Sequence, residues 1–314
     1  MVLLNSIESV LTIIIIIGTG YYLTWKKWFN EETSRTFAKL VTNVSLPAYM
    51  LYNIRESFNR NDLAAFAKGL WVPFGAIFIC YLIAVAVSRI LKIDKSRRGT
   101  FQSMFFNSNS IFIGLPVNMA LFGSESLPYV LLYYMANTTF FWTLGVYCIN
   151  SDSCDEEKNS SGGGLLKRIM TPPLMGFIIA LILMLLDINL PKFVMDTSKY
   201  LGSLTTPLSM LFIGISIYSV KIRSVKFDKY ISGVLLGRFI ISPLIMFIFL
   251  SFVDLPLMMK QVFIIQAAMP VMTNAPIIAK AYGSDSTYAA VMVTVSTILS
   301  MAAIPVYMML IQHI

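Results

Sequence analysis

Two short stretches of this chain combine amide and hydroxyl side chains with proline, inside segments that are otherwise apolar. One runs from Asn107 to Pro116 and the other from Ala268 to Pro276. An asparagine side chain offers two donors and one acceptor group, so it can bind a carboxylate without bringing a fixed charge into an apolar region. The candidate substrate-binding residues are Asn109, Ser108, Ser110, Asn137, Thr273 and Asn274.

Glycine and proline in both stretches predict that their helices are broken. Proline removes one backbone donor, and its ring clashes with the carbonyl one turn earlier. Peptide groups that lose their helical partners are tolerated in hydrocarbon only where they are buried in protein or line a wet cavity. The N-terminus of a half-helix exposes N–H groups and a positive dipole end, which suit an anion such as a carboxylate. The predicted helix-break residues are Gly114, Pro116, Pro270 and Pro276.

These polar residues also have a purely structural interpretation. The asparagines and serines of the two stretches could satisfy the freed backbone, as polar residues in membrane bundles often do. Asn137 interrupts an aromatic run and could face the same cavity or make one interhelical hydrogen bond. Arg238 lies inside an apolar segment, where it could attract an anion, or in a structural role could snorkel to the interface or cap the C-terminal end of a broken half-helix. Both interpretations stay open at the level of sequence.

Composition limits the classes of protein that fit. The 314 residues are 57% hydrophobic and 13% charged, whereas soluble domains carry about 25% charged residues. The chain is therefore predicted to be an all-α membrane protein, and its +8 net charge is not expected to bind nucleic acid. Motifs such as His-Glu-x-x-His and Gly-x-Ser-x-Gly are absent, so an enzyme is not expected. With one histidine and three scattered cysteines, neither a metal site nor a cofactor is predicted.

Ten mainly apolar runs have about the 20 residues that a bilayer-crossing helix needs. A hydrophilic stretch after the fifth run predicts a cytoplasmic linker at residues 151–169, between a first half at 1–150 and a second half at 170–314. The predicted spans are Leu4–Thr24, Phe37–Ile54, Leu70–Ile90, Thr100–Phe122, Pro128–Asn150, Met170–Asp187, Tyr200–Val220, Tyr230–Val253, Gln261–Ala281 and Thr287–Ile311.

The basic residues predict the orientation of these spans. Sixteen Lys and Arg fall on one face of the ten-span arrangement and six on the other, and cytoplasmic loops carry the excess. We predict a multi-pass protein of the cytoplasmic membrane with both termini outside. Because no Asp or Glu lies at the predicted breaks, proton antiport through a mid-membrane carboxylate is not favoured. Sodium coupling stays open, since carbonyls and amides alone can bind that ion.

A fixed offset of 160 residues relates the two halves. Five spans in each half give the second half an inverted topology, and inverted repeats are common in transporters. The alternative is that the matches reflect only the frequent prolines of membrane helices; we favour the repeat, with the two broken helices crossing near mid-membrane. The aligned features are Pro47 with Pro207, Pro116 with Pro276, and Phe122–Ser126 with Tyr282–Ser286.

The chain resembles the auxin efflux carrier family over nearly its whole length. The most specific match is the segment Asn109–Pro116, followed by Phe122-Gly123, which is similar to an Asn-x-x-x-x-Gly-x-Pro segment of the family. The other matching segments are Ala268–Gly283, with Asn274, Pro276 and Ala279, then Ser296-Thr297 and Pro305, and earlier Gly18–Tyr21 and Leu46-Pro47.

The resemblance implies a ten-helix carrier built as a 5+5 inverted repeat with two broken crossover helices, related in fold to bile-acid symporters and NhaA-type antiporters. It implies elevator-like transport of small organic carboxylates, such as malate, malonate or auxin-like acids, across the lipid bilayer, with Asn109 in contact with the substrate. The short central loop favours a bacterial-type permease. The alternatives are a sodium-coupled bile-acid-type symporter and a non-transporting membrane receptor, and a homodimer is an open form of assembly.

Overall fold

The computed structural model of the chain describes residues 2–57, 63–152, 171–219 and 228–311. Regular secondary structure in these ranges is helical, and the described residues contain no β-strand. One isolated antiparallel bridge joins Ser108 and Val271. The prediction of an all-α protein is therefore confirmed. Of the predicted linker, only Ser151 and Asp152 are among the described residues.

The described ranges contain a succession of α-helices. They are α1 (Val2–Trp25), α2 (Glu31–Leu40), α3 (Leu46–Ser57), α4 (Leu63–Ile90), α5 (Lys95–Phe106), α6 (Leu115–Phe122), α7 (Leu127–Phe140), α8 (Val146–Asn150), α9 (Pro172–Leu185), α10 (Lys192–Ser203), α11 (Thr205–Ser219), α12 (Lys229–Leu236), α13 (Ser242–Ser251), α14 (Leu257–Ala267), α15 (Ala275–Ala281) and α16 (Ser286–Ile311).

Several α-helices are joined by single π-helical turns, and proline explains three of these turns. A proline ring cannot accommodate the carbonyl four residues earlier, so the helix widens there. Each of the three turns contains the residue four positions before a proline. They are Val41–Ser45 before Pro47, Ser110–Gly114 before Pro116, and Gly237–Ile241 before Pro243. A fourth π turn, Phe141–Gly145, joins α7 to α8 without such a proline.

Helices occupy each of the ten predicted spans. Among the described residues, four helical stretches are long and apolar enough to cross a membrane: Lys68–Ile90, Lys192–Tyr218, Lys229–Ser251 and Ser286–Ile311. Shorter apolar helices lie at Ile14–Trp25, Ser110–Phe122, Pro172–Leu185 and Leu257–Ala267. That all ten segments cross the bilayer stays a prediction.

Unusual backbone conformations recur at the offset of 160 residues. Lys27 and Asp187 both have a positive φ, of 64° and 54°, in a conformation that non-glycine residues rarely adopt. Gly123 and Gly283 have φ values of 76° and 74°. The same offset relates the first residues of α6 and α15 and the last residues of α1 and α9. Local geometry thus follows the spacing that the sequence matches indicate.

The chain forms two compact units. The first consists of Met1–Lys68, Ile111–Leu131 and Met170–Ser219, and the second of Gly69–Ser110, Leu132–Ile169 and Val220–Ile314. Within the first unit, α1 packs against α11, where the rings of Tyr21 and Tyr218 meet edge to face with centroids 5.2 Å apart.

Within the second unit, side-chain contacts hold several helix ends together. The start of α14 and the end of α16 are joined by a hydrogen bond from Gln261 Nε2 to the carbonyl of Ile311, at 3.3 Å. Three further contacts connect loops that the sequence assigns to the cytoplasmic face. They are the ion pair of Arg97 with Asp285 (2.7 Å) and the hydrogen bonds from Tyr230 to the Asp94 carboxylate (2.6 Å) and from Ser284 to the Ile149 carbonyl (2.7 Å).

Asp152 ties the end of α8 to the first turns of α5. Its carboxylate accepts hydrogen bonds from the backbone N–H groups of Gly99, at 2.6 Å, and Thr100, at 2.7 Å. The Thr100 hydroxyl donates a third, at 2.8 Å. The two helices approach so closely that a Cβ on Gly99 would lie 1.7 Å from the carbonyl oxygen of Cys148.

Asp152 also predicts a pH dependence of stability. Burial raises the pKa of its carboxyl above the ordinary value, by more than the hydrogen bonds and the charge of Arg98 lower it. A carboxyl with a higher pKa in the folded state binds more protons when folded, so its contribution to stability falls as pH rises from the ordinary value through the raised one. We expect the melting temperature of the wild type, compared with that of Asp152→Asn, to rise on acidification through this window. Parallel pH curves for the two proteins in detergent would contradict the expectation.

Candidate functional site

The two polar stretches singled out in the sequence lie side by side in the second unit. Helix α5 ends at Phe106 and is followed by extended residues, and α14 ends at Ala267 with α15 beginning only at Ala275. Ser108 and Val271 form the antiparallel bridge, and the N–H of Asn109 donates to the carbonyl of Pro270 at 2.8 Å. Two interrupted helices therefore satisfy part of their freed backbone by pairing with each other.

The interruption of the first stretch lies earlier than the Gly-x-Pro motif. The non-helical residues are 107–109, whereas Gly114 ends a π turn and Pro116 lies in the first turn of α6. In the second stretch, Pro270 lies inside the non-helical segment and Pro276 in the first turn of α15. Proline is well tolerated in a first turn, where an N–H would have no helical acceptor. The disturbance that these prolines cause therefore falls on the residues before them.

Asn137, on α7, bonds to the extended backbone of the first stretch. Its Oδ1 accepts from the N–H of Ser108 at 2.9 Å, and its Nδ2 donates to the carbonyl of the same residue at 2.8 Å. Its Nδ2 also lies 3.3 Å from the hydroxyl of Ser110. The side chain is fully buried. One amide thus supplies both hydrogen bonds that the Ser108 peptide groups would have made in a strand or helix.

Two residues outside the predicted site make further hydrogen bonds to the paired segments. Gln266, the penultimate residue of α14, donates through Nε2 to the carbonyl of Ser110 at 3.2 Å. Ser296, on α16, accepts through its hydroxyl from the N–H of Val271 at 3.1 Å. Gln266 carried a signal in the sequence, because it is a polar residue at the end of the apolar run Val262–Ile265, directly before the second stretch.

Arg238 lies in the π turn between α12 and α13 and is fully buried. Its Nη2 donates to the carbonyls of Ala267, at 2.6 Å, and Met269, at 2.9 Å, and its Nε to that of Met269 at 3.0 Å. Its Nη1 donates to the carbonyl of Phe105 at 3.3 Å and to the hydroxyl of Ser242 at 3.2 Å. The guanidinium group has five N–H donors, and these contacts use them all.

The contacts of Arg238 favour the capping interpretation. Phe105 lies in the last turn of α5 and Ala267 is the last residue of α14, so the guanidinium lies at the C-terminal ends of both interrupted helices. These ends carry the negative pole of the helix dipole. In the described part of the chain, no carboxylate forms an ion pair with Arg238. Among the described residues, the cation is therefore stabilised by peptide carbonyls and hydroxyl groups rather than by a carboxylate.

The predicted site residues differ in their accessibility. Ser108, Asn109, Ser110 and Asn137 are buried, whereas Thr273 and Asn274, at the end of the second stretch, are half-buried. Asn274 is the residue directly before α15, and its carbonyl accepts from the N–H of Ile278 at 3.1 Å. Within the ranges that the structure describes, no cluster of His, Cys, Asp or Glu is suited to a metal ion. The predicted site residues are thus polar and uncharged, and the neighbouring Arg238 supplies a fixed positive charge.

Comparisons with known proteins identify the family of the chain. The sequence model of a family described as "Membrane transport protein" matches residues 5–308. An uncharacterized transporter of Methanothermobacter thermautotrophicus is 27% identical over 320 residues, with 98% of this chain and 99% of the relative covered. An uncharacterized transporter of Methanocaldococcus jannaschii is 23% identical, with 96% and 97% covered.

A third relative, the uncharacterized transporter YfdV of Escherichia coli, is 23% identical over 220 residues, with 68% of this chain and 69% of the relative covered. The family match spans nearly the whole chain, so it includes the paired segments and both units. It confirms the resemblance that the motifs around Asn109 and Asn274 indicate. The chain is a multi-pass membrane transporter and belongs to the membrane transport protein family of auxin efflux carrier-like proteins.

Proposed function

We propose that the protein carries small organic anions, carboxylates such as malate, malonate or auxin-like acids, across the cytoplasmic membrane. The proposed site is formed by residues 107–110 and 268–274, with Asn109 and Asn274 as ligands of the carboxylate. The observation that carries the proposal is the charge of this region. It contains the buried Arg238, while the segments 102–110, 130–145 and 262–281 contain no Asp or Glu.

Arg238 favours an anion through its field, because its N–H groups are already engaged. A unit charge about 7 Å from a bound carboxylate contributes about 2 kcal/mol at an effective dielectric constant of about 20. The same charge disfavours a cationic substrate by a similar amount. Binding of the anion itself is assigned to the amide side chains and backbone N–H groups of the two segments.

We also propose that the carrier consists of ten membrane-spanning helices in two inverted halves, at 1–150 and 170–314. The recurrence of positive φ values at Lys27 and Asp187, and at Gly123 and Gly283, supports this repeat. The contacts among loops in the second unit support placing these loops on one and the same face of the membrane, and the orientation with both termini outside rests on the excess of Lys and Arg on that face. The division into two compact units supports transport of the elevator type.

The proposal is tested by transport into proteoliposomes. We expect saturable uptake of at least one of labelled malate, malonate, citrate, lactate and indole acetate, and a dependence of the flux on an imposed membrane potential. Asn109→Ala and Asn274→Ala are each expected to weaken substrate affinity about tenfold to a hundredfold, since a hydrogen bond to a charged group contributes about 1.5–3 kcal/mol.

Asn189→Ala is the matched control, because Asn189 is exposed and lies between α9 and α10. It is expected to transport like the wild type. Wild-type kinetics in both Asn109→Ala and Asn274→Ala would contradict the site. Saturable binding without flux for every anion of the panel would contradict transport and favour a ligand-sensing receptor.

A further inference from the structure

We propose that Arg238 takes the place of a coupling cation, so that the carrier moves its substrate without sodium. The inference rests on the proposed function in that it assumes transport of an anion, but the structural feature behind it does not depend on transport. That feature is a set of four oxygen atoms gathered around one guanidinium group. They belong to the carbonyls of Phe105, Ala267 and Met269 and the hydroxyl of Ser242.

This set of oxygens has the chemistry of a sodium site. In carriers with interrupted helices, unwound backbone carbonyls and the C-terminal ends of half-helices coordinate the coupling ion. Phe105 and Ala267 supply carbonyls from the ends of α5 and α14, and Met269 supplies one from the unwound segment. In this protein, each of these oxygens accepts a hydrogen bond from Arg238 at 2.6–3.3 Å.

Arg238 is suited to fill such a site permanently. A guanidinium group stays protonated in proteins, and its planar fork can bind several carbonyls at once. The backbone also positions it: the π turn Gly237–Ile241 brings the side chain toward α5. A Cβ on Gly237 would lie 2.4 Å from the ring of Phe105, so glycine at this position permits the approach that lets Arg238 reach the Phe105 carbonyl.

The consequence concerns energy coupling. A sodium ion would need the oxygens that Arg238 already occupies, and it would bind beside a fixed positive charge. The positive charge that helps to hold an anion is then part of the polypeptide. It is present in every state of the transport cycle, and the membrane potential acts on the bound anion without a co-transported cation.

The first test uses stability, which does not depend on transport. In the variant Arg238→Gly the oxygens lose their cation, and we expect the melting temperature in detergent to fall by about 10 °C. Millimolar guanidinium chloride, which supplies the missing group, is expected to restore at least half of this loss. Arg97→Gly removes an arginine that is about one-third exposed, and its melting temperature is expected not to respond to guanidinium. A folded Arg238→Gly variant that responds to neither guanidinium nor sodium would overturn the proposal.

The second test uses the wild type and is independent of that variant. Replacing sodium with choline is expected to leave both the melting temperature and the rate of anion uptake unchanged. A saturable stabilisation of the wild type by sodium, or uptake that requires a sodium gradient, would overturn the inference.

If no anion is transported under any condition, the proposed function fails, whereas rescue of Arg238→Gly by guanidinium still supports the assignment of the cation site. If Arg238→Gly cannot be purified, Arg238→Lys takes its place: it retains the charge but not the planar fork of donors, so its melting temperature is expected to lie below that of the wild type, and a melting temperature equal to that of the wild type would overturn the role assigned to the guanidinium group.

Discussion

Asn137→Ala is expected to reduce transport at least tenfold and to lower the free energy of unfolding by about 2–4 kcal/mol, since about 1–3 kcal/mol is lost for each buried polar group left without a partner. The alanine would leave both the N–H and the carbonyl of Ser108 without the side chain that now bonds them at 2.9 and 2.8 Å. Ser108 also pairs with Val271, so the change would disturb both interrupted segments at once.

The measurement combines thermal unfolding in detergent with uptake by proteoliposomes. Thr138→Val is the matched control, because Thr138 is the adjacent buried residue and its hydroxyl has no hydrogen-bond partner among the described residues. It is expected to be neutral or slightly stabilising. Asn137→Asp keeps the acceptor for the Ser108 N–H but places a buried carboxylate against the Ser108 carbonyl, so we expect it to lower both stability and anion uptake. Equal behaviour of Asn137→Ala and Thr138→Val would contradict the role assigned to Asn137.

Gly99→Ala is expected to produce the largest loss of stability among the glycine-to-alanine changes in the described part of the chain. The added Cβ would lie 1.7 Å from the carbonyl oxygen and 2.4 Å from the carbonyl carbon of Cys148. These are backbone atoms, so no change of side-chain rotamer relieves the clash. Overpacking of a rigid core costs about 1–3 kcal/mol and more where the backbone must move, and here the shift would also break the hydrogen bonds to Asp152.

Gly18→Ala is the matched control for this prediction. Gly18 lies within α1, and a Cβ at this position would have no atom of the described protein within 4 Å. Alanine is favoured over glycine in a helix interior by about 1 kcal/mol, so we expect Gly18→Ala to be at least as stable as the wild type. Comparable yields and melting temperatures for Gly99→Ala and Gly18→Ala would contradict the close packing of α5 against α8.

Most of the fold class followed from local properties of the sequence. The low charge and long apolar runs predicted an all-α membrane protein, and the prolines predicted that two helices are interrupted. Both are properties of short windows, because hydrophobicity and the missing N–H of proline act within one or two helical turns. The position of the first interruption was predicted less well: it lies at residues 107–109, seven to nine positions ahead of Pro116, whereas the clash of a proline ring reaches only the carbonyl four residues earlier, which lies in the π turn Ser110–Gly114.

The candidate site was predicted as a set of residue types rather than as a geometry. Asn137 and Arg238 were predicted as candidates, but their roles stayed open. Their backbone hydrogen-bond partners lie about 30 residues or more away along the chain, and the sequence does not show which residues the fold brings next to them. Gln266 was missed for the same reason, although a glutamine at the end of an apolar run is a usable signal. Its partner, the carbonyl of Ser110, belongs to the other half of the chain.

By itself, the sequence determined that this protein is a helical membrane transporter of a known family, with two interrupted helices and a polar, carboxylate-free region near the interruptions. Only the tertiary structure decided that the extended segments pair through Ser108 and Val271, and that Arg238 caps the C-terminal ends of α5 and α14. The physical reason is the distance along the chain over which each interaction acts. Helix formation and its interruption depend on neighbouring residues, whereas a buried guanidinium takes whichever oxygens the folded chain brings within about 3 Å of it.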